Sequence, residues 1–166
     1  MILDISKILK SPGDSLNYSG KIDLSEDLFA ANRISEISPL SVDGVVKNIS
    51  GVVVLEGKGG FSYLGPCDRC GEGVRRILEF SFSEVFSKDA EESEESDALV
   101  LEGNTIDLKD IAEREAFASL PLKNLCREDC KGLCPRCGAN LNFSTCECKD
   151  DEWNPQFEFL KGIKFD

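Results

Sequence analysis

The sequence contains no histidine among its 166 residues. This absence excludes a histidine general acid or base and the Ser–His and Cys–His pairs that activate a nucleophile. It also excludes the zinc fingers that use both cysteine and histidine as ligands. A metal bound by this chain must therefore be held by cysteine thiolates, with carboxylates as poorer candidates.

Long apolar segments are also lacking. No run approaches the roughly 18 apolar residues of a membrane-spanning helix. The first residues, MILDISKILKSPG, do not combine a basic start with an apolar stretch, so no signal peptide is predicted. We therefore expect a cytoplasmic protein. In that reducing compartment the eight cysteines indicate metal binding or redox chemistry rather than disulfides.

Basic residues are fewer than acidic ones, 19 against 31, and the formal net charge is −12. Residues 89–106 contain seven acidic residues and no basic one, whereas the cysteine-bearing stretches 67–88 and 126–148 are balanced. The pattern predicts a solvated acidic loop at 88–98. A protein with this charge repels nucleic acid at long range and favours basic partners.

Strand patterns dominate the first 66 residues and continue after the first cysteine pair. Alternation of apolar with polar residues predicts half-buried strands at two places. The apolar members are Leu16, Tyr18 and Ile22 in the first, and Leu78, Phe80 and Phe82 in the second. Ser50-Gly51 predicts a hairpin turn, and Gly-Lys-Gly-Gly at 57–60 predicts a second break. We expect an α+β fold, with an antiparallel β-sheet or partly open barrel and one main helix.

That helix is predicted at 107–120, where Asp107 can be the N-cap and Pro121 ends the helix. Asp110 and Arg114 are spaced to pair across one turn. Asn154-Pro155 predicts a short terminal helix. The predicted units are a β-rich core at 1–122, a cysteine-rich metal-binding segment at 123–150 and a C-terminal tail at 151–166.

The cysteines fall into pairs with the spacing of metal ligands. Two pairs have the form Cys-x-x-Cys-Gly: CDRCG at 67–71 and CPRCG at 134–138. Two intervening residues let both sulfurs face one ion, and the glycine permits the positive φ that closes the turn. The predicted ligands are Cys67, Cys70, Cys126, Cys130, Cys134, Cys137, Cys146 and Cys148. Eight thiolates fit two zinc ions, each with four sulfur ligands and no open position, as in structural sites.

The pattern leaves two divisions of these ligands open. The first groups the four cysteines of 134–148 and joins the pair at 126–130 to the pair at 67–70. The second joins the two Cys-x-x-Cys-Gly pairs and leaves 126–130 with 146–148. We favour the first, because the cysteines of 134–148 are near enough in sequence to close one small site.

Other interpretations of the cysteines fit less well. Buried free thiols are disfavoured because charged residues and glycines surround the pairs. A thiol-disulfide oxidoreductase using Cys67 and Cys70 needs the pair at a helix N-terminus, whereas a predicted strand follows here. We therefore favour zinc over redox chemistry, and redox chemistry over structural disulfides.

Basic residues flank both groups of cysteines. They are Arg69, Arg75, Arg76, Arg127, Lys131 and Arg136. We expect them to screen thiolate charge and donate hydrogen bonds around the sites. The alternative is a local basic face that contacts RNA phosphate or a partner, as in a zinc ribbon that binds nucleic acid.

Four segments resemble the YceD-like family, the large ribosomal RNA subunit accumulation proteins. They are CDRCG at 67–71, IDLKDIAEREAFASLPL at 106–122, LCREDCKGLCPRCGANLN at 125–142 and CEC at 146–148. The resemblance implies a non-catalytic accessory factor in ribosome biogenesis, which supports 23S rRNA accumulation and large-subunit assembly. The implied partner is a basic ribosomal protein or an rRNA precursor of the large subunit, with no membrane and no small-molecule substrate.

Overall fold

The computed structural model describes residues 1–88, 98–101 and 103–148. The predicted terminal helix, the tail at 151–166 and all but the ends of the acidic loop lie outside them. The described strands are β1 (Ile2–Asp4), β2 (Ser15–Ile22), β3 (Glu36–Ile37), β4 (Leu40–Ile49), β5 (Val52–Pro66), β6 (Gly73–Ser87), β7 (Leu99–Val100) and β8 (Thr105–Asp107). The described helices are α1 (Glu26–Ala30) and α2 (Leu108–Ala118), with a 3₁₀ turn at Ile8–Lys10.

Most of these strands form one open sheet. The order is β2-β4-β5-β6-β7, and β3 pairs with β5. Neighbouring strands are antiparallel except β6 and β7, which are parallel. Strands β1 and β8 form a separate antiparallel pair. The α+β prediction, a mainly antiparallel sheet with one main helix, is confirmed.

The two turn predictions in β4 and β5 have different outcomes. Ser50 and Gly51 have φ values of 55° and 99°, as in a two-residue hairpin turn, and this prediction is confirmed. The predicted break at 57–60 is wrong, because β5 runs through these residues. A Cβ built on Gly57 or Gly59 would lie 2.5 Å from a ring carbon of Phe82 or Phe80, respectively. These glycines make room for aromatic rings on β6.

The main core lies where α2 packs on the sheet, and it contains the buried side chains of both. The Asp107 carboxylate accepts a 2.9 Å hydrogen bond from the Lys109 N–H, so the predicted N-cap is confirmed. The expected pair of Asp110 with Arg114 is not formed. Arg114 instead pairs with Glu84 of β6 and with Glu115, since the helix lies beside that strand.

Strands β5 and β6 form a long hairpin. The cysteines in the turn of this hairpin lie outside the main core. Each strand has 15 residues, and Cys67 and Cys70 lie between them. The chain that follows α2 returns to this turn and packs there. Cys67, Cys70 and Cys130 form a second small buried cluster, with Val74 and Leu125 against it. Among the residues described, no helix has the length and apolar character to span a membrane.

Candidate metal centres

The first cluster joins two segments that are far apart in sequence. The Sγ atoms of Cys67, Cys70, Cys126 and Cys130 all lie within 4.8 Å of one another. The separation is 3.8 Å between Cys67 and Cys130 and 3.7 Å between Cys70 and Cys126. Tetrahedral zinc with Zn–S bonds of about 2.3 Å would place its sulfurs about 3.8 Å apart. A disulfide would bring two of them to about 2.05 Å. The spacing fits a metal.

The turn after β5 holds the first pair of sulfurs through backbone hydrogen bonds. The Cys67 N–H donates to the Glu72 carbonyl at 2.7 Å, and the Gly71 N–H donates to the Cys67 carbonyl at 2.8 Å. Gly71 has a φ of 76°, a conformation that glycine adopts without steric cost. The role predicted for this glycine is therefore confirmed.

The segment before Cys126 is fastened to the same turn by polar side chains. The Asn124 N–H donates to the Asp68 carboxylate at 2.6 Å, and the Asn124 side-chain amide donates to the Pro66 carbonyl at 2.9 Å. Arg76 on β6 donates to the Leu125 carbonyl at 2.7 Å. These bonds place Cys126 and Cys130 opposite Cys67 and Cys70.

The second cluster is local and repeats the same turn. The Sγ atoms of Cys134, Cys137, Cys146 and Cys148 all lie within 4.8 Å of one another. The Cys134 N–H donates to the Ala139 carbonyl at 2.8 Å, and the Gly138 N–H donates to the Cys134 carbonyl at 2.9 Å. Gly138 has a φ of 74°. Both Cys-x-x-Cys-Gly pairs thus fold alike.

The two groups have the membership of the first division given by the sequence. All eight cysteines are free thiols, and each lies in one of the two groups. Four thiolates this close together would repel one another unless a cation lay between them. The arrangement therefore fits a bound metal ion. Zinc, with its preference for four tetrahedral thiolates, matches this donor set. That these cysteines are the ligands stays a prediction.

Each group contains thiols whose pKa is lowered beside thiols whose pKa is raised. Burial raises the pKa of Cys67, but hydrogen bonds from the backbone N–H groups of Cys126, Arg69 and Cys70 outweigh it and lower the pKa to about 6. The N–H groups of Cys137 and Arg136 lower the pKa of Cys134 to about 6. The facing Cys137 side chain, together with burial, raises the pKa of Cys148 to about 12. A bound dication would displace the remaining protons.

Two of the flanking arginines donate hydrogen bonds to backbone carbonyls of the segment that follows α2. Arg69 donates to the carbonyls of Cys130 at 2.8 Å and Glu128 at 3.2 Å. Arg76 donates to the Asn124 side chain as well as to the Leu125 carbonyl. Both guanidinium groups therefore hold the returning segment in place beside the first cluster.

The remaining basic residues lie on or near the clusters. Arg75 pairs with Glu36 at 2.6 Å, and Arg127 donates to the Asn142 side chain at 2.8 Å. Lys131 is exposed, and its backbone N–H donates to Asn142. Arg136 lies in the second Cys-x-x-Cys-Gly turn and is engaged in an interaction. Contact of any of the six with RNA or a partner stays a prediction.

Three asparagines in the site were missed by the sequence analysis. Asn124 fastens the returning segment, while Asn140 and Asn142 order the loop of the second cluster. The Asn140 carbonyl accepts from the N–H groups of Phe143 and Ser144. The only signal for the last two was their position, two residues apart between cysteine pairs, which is typical of a hydrogen-bonded turn.

The chain matches a known family and several curated relatives. The family is described as large ribosomal RNA subunit accumulation protein YceD, and the match covers residues 55–164. The uncharacterized protein Rv2926c of Mycobacterium tuberculosis is 30% identical over 151 residues, 85% of this chain and 70% of the relative. The uncharacterized protein YlbN of Bacillus subtilis is 26% identical over 165 residues, 96% and 94% of the two chains. No solved structure gives a significant match.

Proposed function

The chain belongs to the YceD family of large ribosomal RNA subunit accumulation proteins, and on this premise we propose that it is a non-catalytic accessory factor of ribosome biogenesis. In this role it supports 23S rRNA accumulation and large-subunit assembly in the cytoplasm. The observation that carries the proposal is the family match over residues 55–164, a range that contains both cysteine clusters.

Two structural zinc ions are part of the proposal. Each cluster offers four sulfurs, which fill a tetrahedral coordination shell and leave no position for water or substrate. Bound zinc would supply a cross-link in each cluster: one between the β5–β6 turn and the returning segment, the other within 134–148. Such closed thiolate sites stabilise folds, whereas catalytic zinc keeps an open position.

The charge near the clusters favours a basic protein as partner over RNA. Residues 67–76 and 123–148 contain seven basic and five acidic side chains, a formal charge of +2. Two tetrathiolate zinc centres, each about −2, would change this to about −2. The whole chain is at −12 before its thiolates ionise. A basic ribosomal protein of the large subunit would therefore be attracted, and rRNA phosphate repelled.

The alternatives have weaker support in the structure. Cys67 and Cys70 lie in a turn between two strands, so no helix N-terminus is present to activate a thioredoxin-like pair. A nucleic-acid-binding zinc ribbon would need cations free to contact phosphate. Arg69 and Arg76 instead donate to backbone carbonyls of the returning segment.

The test is depletion of the protein in its own organism, followed by the ratio of 23S to 16S rRNA and the sucrose-gradient profile of ribosomal particles. We expect a lower ratio and fewer 50S subunits, restored by the wild-type chain but not by Cys67→Ser with Cys70→Ser. Asn17→Asp, an exposed change on β2, is the control that should restore both. Unchanged rRNA levels and particles after depletion would rule out the proposed role.

The partner is tested by affinity capture from lysate. We expect enrichment of one or more basic proteins of the large subunit, which is retained after nuclease treatment. Capture that disappears with nuclease treatment would favour the rRNA precursor instead.

A further inference from the structure

Asn142 connects the two cysteine clusters. It lies in the loop of the second cluster, between Cys137 and Cys146. Its side-chain amide nevertheless donates a hydrogen bond to the sulfur of Cys130 in the first cluster, with Nδ2 and Sγ 3.3 Å apart. No other side-chain amide in the part of the chain that is described donates to a cysteine sulfur.

The orientation of this amide is fixed by its other hydrogen bonds. Its Oδ1 accepts from the Lys131 N–H and from the Arg127 guanidinium, both at 2.8 Å. Its second N–H donates to Oδ1 of Asn140 at 2.8 Å. A flipped amide would place its NH2 group against the N–H donors of Lys131 and Arg127, and its oxygen against Oδ1 of Asn140. The N–H must therefore face the sulfur.

The position of Asn142 depends on closure of the second cluster. The loop 140–145 joins Cys137 to Cys146, so a metal held by both would fix its ends. Within the loop, the Leu141 N–H donates to the Gly132 carbonyl at 2.9 Å. Gly132 in turn packs on the Arg69 backbone, where a Cβ would lie 3.0 Å from the carbonyl oxygen. These contacts therefore connect the loop, through Gly132, to Arg69, which lies between Cys67 and Cys70 of the first cluster.

We propose that Asn142 couples the two metal centres, so that zinc in the second centre strengthens zinc binding in the first. This inference rests on the two zinc centres of the proposed function. Metal bound at the second centre would hold the loop that contains Asn142. The Asn142 amide would then be in place to donate to the Cys130 thiolate. An N–H donor stabilises a metal-bound thiolate by drawing off part of its charge. Asn142 is thus a positioning residue for the first centre.

The experiment measures zinc affinity at the first centre in the full-length chain. Zinc content is determined first by mass spectrometry, and affinity then by competition with a chelator. Asn142→Ala removes the donor, and Asn142→Asp keeps the Oδ1 acceptor while removing the donor. Asn17→Asp is the control with the same charge change. Cys134→Ser with Cys137→Ser gives a chain that retains only the first centre.

We expect two zinc ions per wild-type chain. Asn142→Ala should weaken the first centre about 10- to 100-fold, the usual effect of removing a hydrogen bond to a metal ligand. Loss of the second centre should weaken the first by a similar factor. Asn142→Ala added to that loss should have less than about a twofold further effect, because the two changes act through one contact.

Two results would overturn the coupling. One is an unchanged zinc affinity of the first centre in Asn142→Ala and Asn142→Asp. The other is an equal loss with and without the second centre, which would make the contact independent of metal there. Fewer than two zinc ions in the wild-type chain would overturn the metal part of the proposed function itself, and the coupling with it.

Discussion

Removal of metal should unfold residues 123–148 while leaving the sheet intact. The perturbation is a strong chelator, which removes metal from both clusters. Cys134→Ser with Cys137→Ser should unfold only the part closed by the second cluster, residues 134–148. The prediction follows from burial, because the main core contains no residue of 123–148. The buried residues of that segment are Cys130, Gly132 and Cys134. Without metal, little apolar surface remains to hold the segment folded.

The magnitudes show which contribution dominates. The segment's main apolar contribution to the contact with the rest of the chain is the half-buried side chain of Leu125. Like Val74, it packs against the first cluster. Half burial of an aliphatic side chain contributes about 1 kcal/mol. A structural zinc site contributes on the order of 10 kcal/mol. Loss of zinc should thus lower the local unfolding free energy by at least about 4 kcal/mol, a factor of about 1,000 in hydrogen exchange.

The assay is amide hydrogen exchange with zinc present and after chelation. The reporters are the N–H groups of Cys134 and Leu141, which donate to carbonyls within the segment. Val46 and Leu55, buried and opposite each other on β4 and β5, are the controls and should keep their protection. Protection of both reporters in metal-free protein would refute the reasoning and favour packed thiols or disulfides.

Three further predictions concern the core, the helix and the acidic loop. Gly59→Ala should lower the unfolding free energy by about 1–3 kcal/mol in denaturant melts, since its Cβ would press on the Phe80 ring. Gly60→Ala, where the nearest atom would be 3.6 Å away, is the near-neutral control, and equal effects would contradict the argument. Asp107→Ala should cost about 0.5–2 kcal/mol through loss of the N-cap, and Asp107→Asn much less, by thermal unfolding. Deleting 89–98 should weaken binding to a basic protein in low-salt titrations without altering the melt; unchanged binding would leave the loop a spacer.

Local signals predicted the parts of the structure that depend on neighbouring residues. Asp107 before an amphipathic stretch predicted the helix, and its cap is formed. The Cys-x-x-Cys-Gly spacing predicted both turns, because φ at Gly71 and Gly138 depends only on the turn itself. Ser50-Gly51 predicted its hairpin for the same reason.

Features that depend on distant residues could not be obtained in this way. The stretch 57–60 has the glycine-rich composition of a turn. Only the positions of the Phe80 and Phe82 rings on the next strand explain why it is part of a strand instead. Arg114 had a carboxylate within one helical turn, yet the fold brings Glu84 to it. The division of the ligands remained open because Cys126 meets Cys70 only once the β5–β6 hairpin and α2 are in place.

The first cluster also sets an order of events during synthesis of the chain. Its sulfurs come from residues 67–70 and 126–130, so β6, the acidic loop and α2 all lie within the stretch that it closes. The second cluster needs only residues 134–148 and can form as soon as they emerge. The first cluster forms only after the hairpin and the helix have folded and brought its two halves together. A chain with metal in that centre has therefore already completed a non-local and hence slow folding step. The proposed zinc ion, if bound there, would mark molecules in which the two halves of the first cluster have met.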